Sequence, residues 1–154
     1  MELGILLLLH ALASAVWVGG MFFSMIALRP AAATLADPAV RNRLWLTALS
    51  RFFTWTWIAV IVLLATGFRM ILAFYGGMKG LALHINLMMT LGLLMALIFA
   101  YLFFVPFGRF RRAADASDPA EADRALRQIR LLVMVNLHLG FLAVILGAGG
   151  RHMF

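Results

Sequence analysis

The sequence predicts an all-α fold, a four-transmembrane-helix bundle built from two long helical hairpins, with helices extending into the cytoplasm. Three observations predict it. Four apolar runs are each long enough, or nearly so, to cross a bilayer. The basic residues gather in the connections after the first and third runs. Each of those connections carries an Asp-Pro step, which reads as an N-cap followed by proline at the first helical position.

Composition sets the solvent. The chain has 154 residues, of which 65% are hydrophobic and 12% charged. Soluble domains are about one quarter charged and under about half apolar. A chain this short has no core large enough to hide so much apolar surface, so lipid must cover much of it. The reading is one integral membrane domain over residues 1–154, with membrane lipid as its first partner. The formal net charge of +7 does not point to nucleic acid, because the arginines sit at the ends of apolar runs, where topology signals belong. No cysteine is present, which excludes disulfides, thiolate metal sites and iron–sulfur clusters.

The first span is expected over about residues 3–28. Glu2 replaces the basic start of a signal peptide and the apolar run continues through Ile26, so this segment reads as a retained helix. The second span is expected over 53–75, the third over 81–105 and the fourth over 131–147. Backbone polar groups in lipid must be satisfied within the segment, so all four are helices. Arg29, Arg41, Arg43 and Arg51 flank the first connection, and Arg109, Arg111, Arg112, Arg124, Arg127 and Arg130 the third. Lys79 and Arg151 stand alone at the opposite end. This bias places the arginine-rich connections in the cytoplasm and both termini in the periplasm. Asp37-Pro38 and Asp118-Pro119 predict that the second and fourth helices begin in the cytoplasm, near residues 38 and 119. Leu9-His10 and Leu83-His84 open the two hairpins at matching places, which suggests a repeat in the same direction.

Those histidines are the leading candidates for chemistry. His10 and His84 lie at similar depth in the outer leaflet of two parallel helices. Imidazoles from facing helices can supply both axial ligands of a heme iron. His10 shares a face with Ser14 and Trp17, and His84 shares one with Met88, side chains suited to line such a ligand. Arg69 lies in the second span in the same leaflet. Its guanidinium either snorkels to the headgroups or pairs with a carboxylate such as a heme propionate. His138 is expected to point away from the packing face formed by Asn136, Gly140, Ala143 and Gly147. His152 is terminal and reads as solvated. Trp45, Trp55 and Trp57 are expected near the cytoplasmic boundary, as an interfacial belt. None of the six acidic residues falls within a span, so a carboxylate proton relay inside the membrane is not expected.

The motifs resemble those of CopD-like membrane proteins. His10 with Trp17-Val18-Gly19-Gly20, then Arg51-Phe52-Phe53, Ala65-Thr66-Gly67, His84-Ile85-Asn86-Leu87-Met88 and Val135-Asn136-Leu137 carry the likeness. The resemblance implies copper resistance, or copper movement across a bacterial inner membrane. A more distant likeness is to the bacterial four-helix protoporphyrinogen IX oxidases, small heme b proteins with a histidine in helix one and His-x-Lys-Leu in helix three. The lysine position holds Asn86 here.

Three readings follow. In the first the chain is a heme b redox protein of the bacterial inner membrane, with His10 and His84 as axial ligands and Arg69 as propionate partner. It would be an oxidoreductase exchanging electrons with quinone, porphyrinogen or another small reductant. The second is a copper protein, since the ten methionines and two histidines suit soft Cu(I), with Met21-x-x-x-Met25 the nearest approach to a thioether track. The third is an accessory subunit without a cofactor. Small-residue faces permit a homodimer.

Overall fold

The computed structural model describes residues 1–77 and 81–153, with side chains through residue 150. Lys79 and the side chains of Arg151 and His152 lie outside that description. The described chain is helical, with the order α1 (Glu2–Phe23), a π turn (Ser24–Leu28), α2 (Arg29–Ala33), α3 (Pro38–Phe74), α4 (Leu83–Phe104), α5 (Pro106–Asp115) and α6 (Pro119–Met153). Four helical stretches, Glu2–Ala33, Pro38–Phe74, Leu83–Asp115 and Pro119–Gly150, are long and apolar enough to cross a bilayer. The protein is a multi-pass membrane protein.

Local chemistry explains the turns. Asp37 caps α3 through its side chain, which accepts from the Ala39 amide at 2.8 Å, and Pro38 follows at the first helical position. Asp118 accepts from the amides of Ala120 and Glu121, each at 3.1 Å, ahead of Pro119. Ser117 adopts a left-handed φ of 53°, a place usually held by glycine. Its amide and that of Asp118 return to the carbonyls of Ala114 and Ala113, so the C-terminus of α5 is closed before Asp118 opens α6. Beyond α3, Gly76 and Gly77 take φ values of 76° and 85°, and the Gly77 amide returns to the Ile71 carbonyl.

Two proline effects depart from a plain reading of the apolar runs. Pro30 has no N–H to offer the Ile26 carbonyl, and the helix widens into the π turn just before it, with the Arg29 amide reaching back to Ser24. Pro106 likewise stops α4. Val105 leaves the ideal helical geometry, and α5 follows directly, burying Phe107, Phe110 and Ala113 while Arg109, Arg111 and Arg112 face outward.

The hairpins are α1–α3 and α4–α6, each packed along its length, and α1 also lies against α6. Contact between α3 and α4 is sparse. Lipid tails are as apolar as leucine, so close packing rather than water exclusion joins the helices. Small residues allow it. A Cβ at Gly20 would collide with the Phe52 ring, and one at Gly140 would lie 2.9 Å from Val18 Cγ2. Toward the arginine-rich end the interior is aromatic. Phe53, Trp57, Phe99 and Phe103 pack mostly edge to face, with Phe53 against Phe107 at 4.9 Å and Trp57 against Phe99 at 5.0 Å between centroids. Trp17 meets Phe99 from above at 6.1 Å.

The tryptophans do not form one belt. Trp55 is exposed, but Trp45 is only 1% exposed. The extension of α3 is itself packed into the bundle, and Trp45 lies beneath Arg130, whose Cζ is 4.9 Å from the ring centroid. His138 turns outward, its Nδ1 donating to the Met134 carbonyl at 2.8 Å. Asn136 is buried on the opposite side, and its Nδ2 donates to the Met95 carbonyl across the helix interface at 3.1 Å.

Candidate functional site

The four long helices enclose a cavity of about 760 Å³ at the end of the bundle away from the arginine-rich turns. That volume falls within the range of small-molecule sites, about 300–1,000 Å³. His10, Ser14 and Trp17 reach it from α1, and His84 and Met88 from α4. Helical periodicity puts each set on one face, and hairpin packing turns the two faces toward each other. Trp17, Val60, Met95 and Gly140 lie at its deep end, next to the aromatic cluster. No charged side chain lines the cavity among the described residues.

Each imidazole is set by its neighbours. His10 Nδ1 lies 2.8 Å from Thr66 Oγ1 on α3. The Thr66 hydroxyl donates its one hydrogen to the Val62 carbonyl at 2.6 Å. Toward His10 it therefore accepts, so the His10 proton sits on Nδ1 and Nε2 presents a lone pair. Gly67, the next residue, leaves room for the ring: a Cβ there would meet His10 Cε1 at 3.5 Å. His84 stands against Gly150 of α6, where a Cβ would fall 2.6 Å from the His84 Cβ. Gly147, one turn earlier, accommodates the Met88 sulfur. The His84 Nδ1 is buried without a hydrogen-bond partner among the described residues. An orphaned buried nitrogen is costly, by about 1–3 kcal/mol, and a ligand that engaged it would remove that cost.

Arg69 is placed differently. It lies on α3 outside the cavity lining, and its guanidinium holds Glu2 at the start of α1, with Nε at 2.8 Å and Nη2 at 2.6 Å from Oε1. Both side chains are more than half exposed. Sequence reasoning offered Arg69 a headgroup or a propionate, and the carboxylate it meets is the protein's own. Thr66, Gly67 and Gly150 were not singled out as site residues. A threonine and a glycine side by side within an apolar run were the available signal for the first two.

Chemically, the arrangement offers two imidazoles and thioethers in an apolar setting. No group of three or more His, Cys, Asp or Glu side chains is assembled to hold a metal among the described residues. With no carboxylate in the wall, a hard divalent ion has nothing to offset its charge. A soft monovalent ion, or a metal already neutralised by its own macrocycle, fits the donors better.

A model of the CopD family, described as copper resistance protein D, matches residues 46–149. The match takes in Thr66, Gly67, His84 and Met88 and begins after α1, so His10 and the Trp17-Val18-Gly19-Gly20 motif lie outside it. No curated protein and no solved structure matches the chain, and the likeness to the heme-containing oxidases finds no support in these comparisons.

Proposed function

The chain belongs to the copper resistance protein D family, and from that premise we propose that it binds Cu(I) as its cargo in the cavity between His10 and His84. One observation carries the reading. Among the described residues the cavity is uncharged, yet it holds a buried His84 nitrogen with no partner there and a His10 whose Nε2 is left free by the bond to Thr66. Imidazole and thioether donors suit Cu(I), and Met88, one turn along α4 from His84, brings a thioether into the same cavity. In this reading residues 1–154 act as one membrane domain of a bacterial inner membrane. The arginine-rich turns face the cytoplasm, so the cavity faces the periplasmic side.

A second reading has one observation in its favour. A cavity of about 760 Å³ is far larger than one ion needs, and its walls suit a flat apolar ligand. His10 and His84 would hold the iron of heme b, with Ser14, Trp17 and Met88 lining its site. Its iron would supply one-electron redox chemistry, serving an oxidoreductase with a quinone or porphyrinogen partner. Arg69 could take a heme carboxylate only by leaving Glu2.

The test begins with an absorption spectrum of the detergent-purified protein, oxidised and then reduced. An anaerobic Cu(I) titration against a colorimetric chelator follows. A colourless protein that takes up about one Cu(I) per chain, and loses it in His10→Ala and His84→Ala but not in His138→Ala, supports the copper reading. A Soret band with sharp reduced α and β bands, lost in His84→Ala, replaces it with the second. Neither heme nor Cu(I) uptake sinks both and leaves an accessory subunit.

A further inference from the structure

The other end of the bundle carries a different imbalance. Arg41 on α3 reaches Asp123 on α6 at 3.7 Å. Arg130, two turns further along α6, lies over the face of Trp45. Its Nε is buried without a partner among the described residues, and so is the indole Nε1 of Trp45, which is 1% exposed. Burial makes the Arg130 guanidinium less ready to hold its charge. The charges of Arg29 and Arg41 act in the same direction, and Asp123 opposes them. Arg130 therefore feels two like charges, from Arg29 on α2 and Arg41 on α3, against one carboxylate, Asp123, and that carboxylate is already engaged by Arg41. A ring face offsets part of a cation's charge, but it offers no acceptor for an N–H.

What the cluster lacks is an oxygen-rich anion. We propose that Arg29, Arg41 and Arg130 form a binding site for a single phosphate group, carried by an anionic lipid headgroup or free in solution. Guanidinium groups are the side chains best matched to phosphate oxygens, because their planar forks donate two hydrogen bonds at once. Basic pockets between membrane helices hold lipid headgroups on the same principle. Arg29 is exposed and forms the open side of the site, while Arg41 and Arg130 are half-buried and form its back. Asp123 competes with the ligand for Arg41. The site is independent of the cavity at the histidine end.

Native mass spectrometry of the purified full chain tests this, with phosphatidylglycerol, phosphatidylcholine and inorganic phosphate as probes. The expected result is one phosphatidylglycerol held in preference to phosphatidylcholine, or one inorganic phosphate that prevents phosphatidylglycerol binding. The first outcome assigns the site to a lipid headgroup and the second to free phosphate. Arg29→Gln and Arg130→Gln should each weaken binding by about tenfold, the scale of one charge-assisted hydrogen bond. Asp123→Asn should tighten it, which a merely structural role for the cluster would not produce. Should Arg130→Gln fail to fold, the exposed Arg29→Gln still decides the matter. Equal binding of the two lipids with no phosphate effect would overturn the proposal. So would an Arg51→Gln variant that weakens binding as much as Arg29→Gln, since that would mean diffuse surface charge.

Discussion

Thr66 and His10 meet at 2.8 Å across the α1–α3 interface, through a hydroxyl whose hydrogen is already spent on the Val62 carbonyl. One threonine thereby fixes both the rotation of the imidazole and the nitrogen that carries its proton. Thr66→Val should keep the fold and weaken ligand binding at His10 by about 10- to 100-fold, the usual cost of losing a partner that orients a metal-ligating histidine. Thr66→Ser should restore most of it. Chelator competition for Cu(I), or heme retention read by absorbance, measures both variants. Equal binding by Thr66→Val and the parent protein would show that the contact does not orient a ligand.

The two histidines rest against glycines with unequal room. Gly150→Ala places a methyl 2.6 Å from the His84 Cβ, so α4 and α6 must separate. The expected cost is about 1–3 kcal/mol, as for other overpacked interiors. Gly67→Ala meets His10 at an ordinary 3.5 Å and should be nearly neutral, because alanine also favours the helix. Thermal unfolding followed by tryptophan fluorescence in detergent ranks the pair. A Gly67→Ala protein less stable than Gly150→Ala would contradict the packing described.

Asn136 permits a prediction of sign. It is 2% exposed, with Nδ2 bonded to the Met95 carbonyl and Oδ1 unpartnered among the described residues. Asn136→Leu loses a bond worth about 0.6–2 kcal/mol in a membrane protein but also removes the orphaned oxygen, so the net change should stay under about 1 kcal/mol. Asn136→Asp replaces the donor with a carboxylate facing a carbonyl oxygen, and should cost at least about 3 kcal/mol. Tm comparison of the two variants separates these outcomes.

Glu2 and Arg69 form a close ion pair, yet both are more than half exposed. Solvent-exposed pairs contribute about 0–1 kcal/mol, so Glu2→Gln should barely move Tm. Its informative effect lies elsewhere. In the heme reading it frees Arg69 for a carboxylate and should raise heme retention, whereas Cu(I) affinity should not change. Heme and copper occupancy measured on the same variant distinguishes the two.

Much of the fold was legible because its causes are local. Four apolar runs gave four spanning helices, and the Asp-Pro steps marked the starts of α3 and α6 at Pro38 and Pro119. The 3.6-residue period placed His10, Ser14 and Trp17 together, and His84 with Met88, and all five line one cavity. Partners fixed by register between helices were not legible. Thr66 lies 56 positions from His10, and Gly150 is remote from His84, so only the packed bundle brings them together. Glu2 was read as a feature of the N-terminus rather than as the partner of Arg69. Pro30 and Pro106 were visible in the sequence, but whether a proline yields a π turn or a broken helix depends on which carbonyls the surroundings can satisfy. Trp45 was misjudged because membrane-edge tryptophans usually face headgroups, whereas here the helix extensions pack against each other and enclose it.

The aromatic packing of Phe53, Trp57, Phe99 and Phe103 under Trp17 has a bearing on traffic. It makes the histidine cavity a cul-de-sac, closed toward the arginine-rich end by rings whose only polar groups are the indole N–H donors of Trp17 and Trp57, which have no lone pair to hand a cation onward. In the copper reading an ion seated there leaves by the side it entered, and in the heme reading an electron needs no opening to cross the seal. Removing rings from the floor, as in a Trp57→Ala, Phe99→Ala pair, would convert the cul-de-sac into a leak, and ion flux into proteoliposomes would register the change.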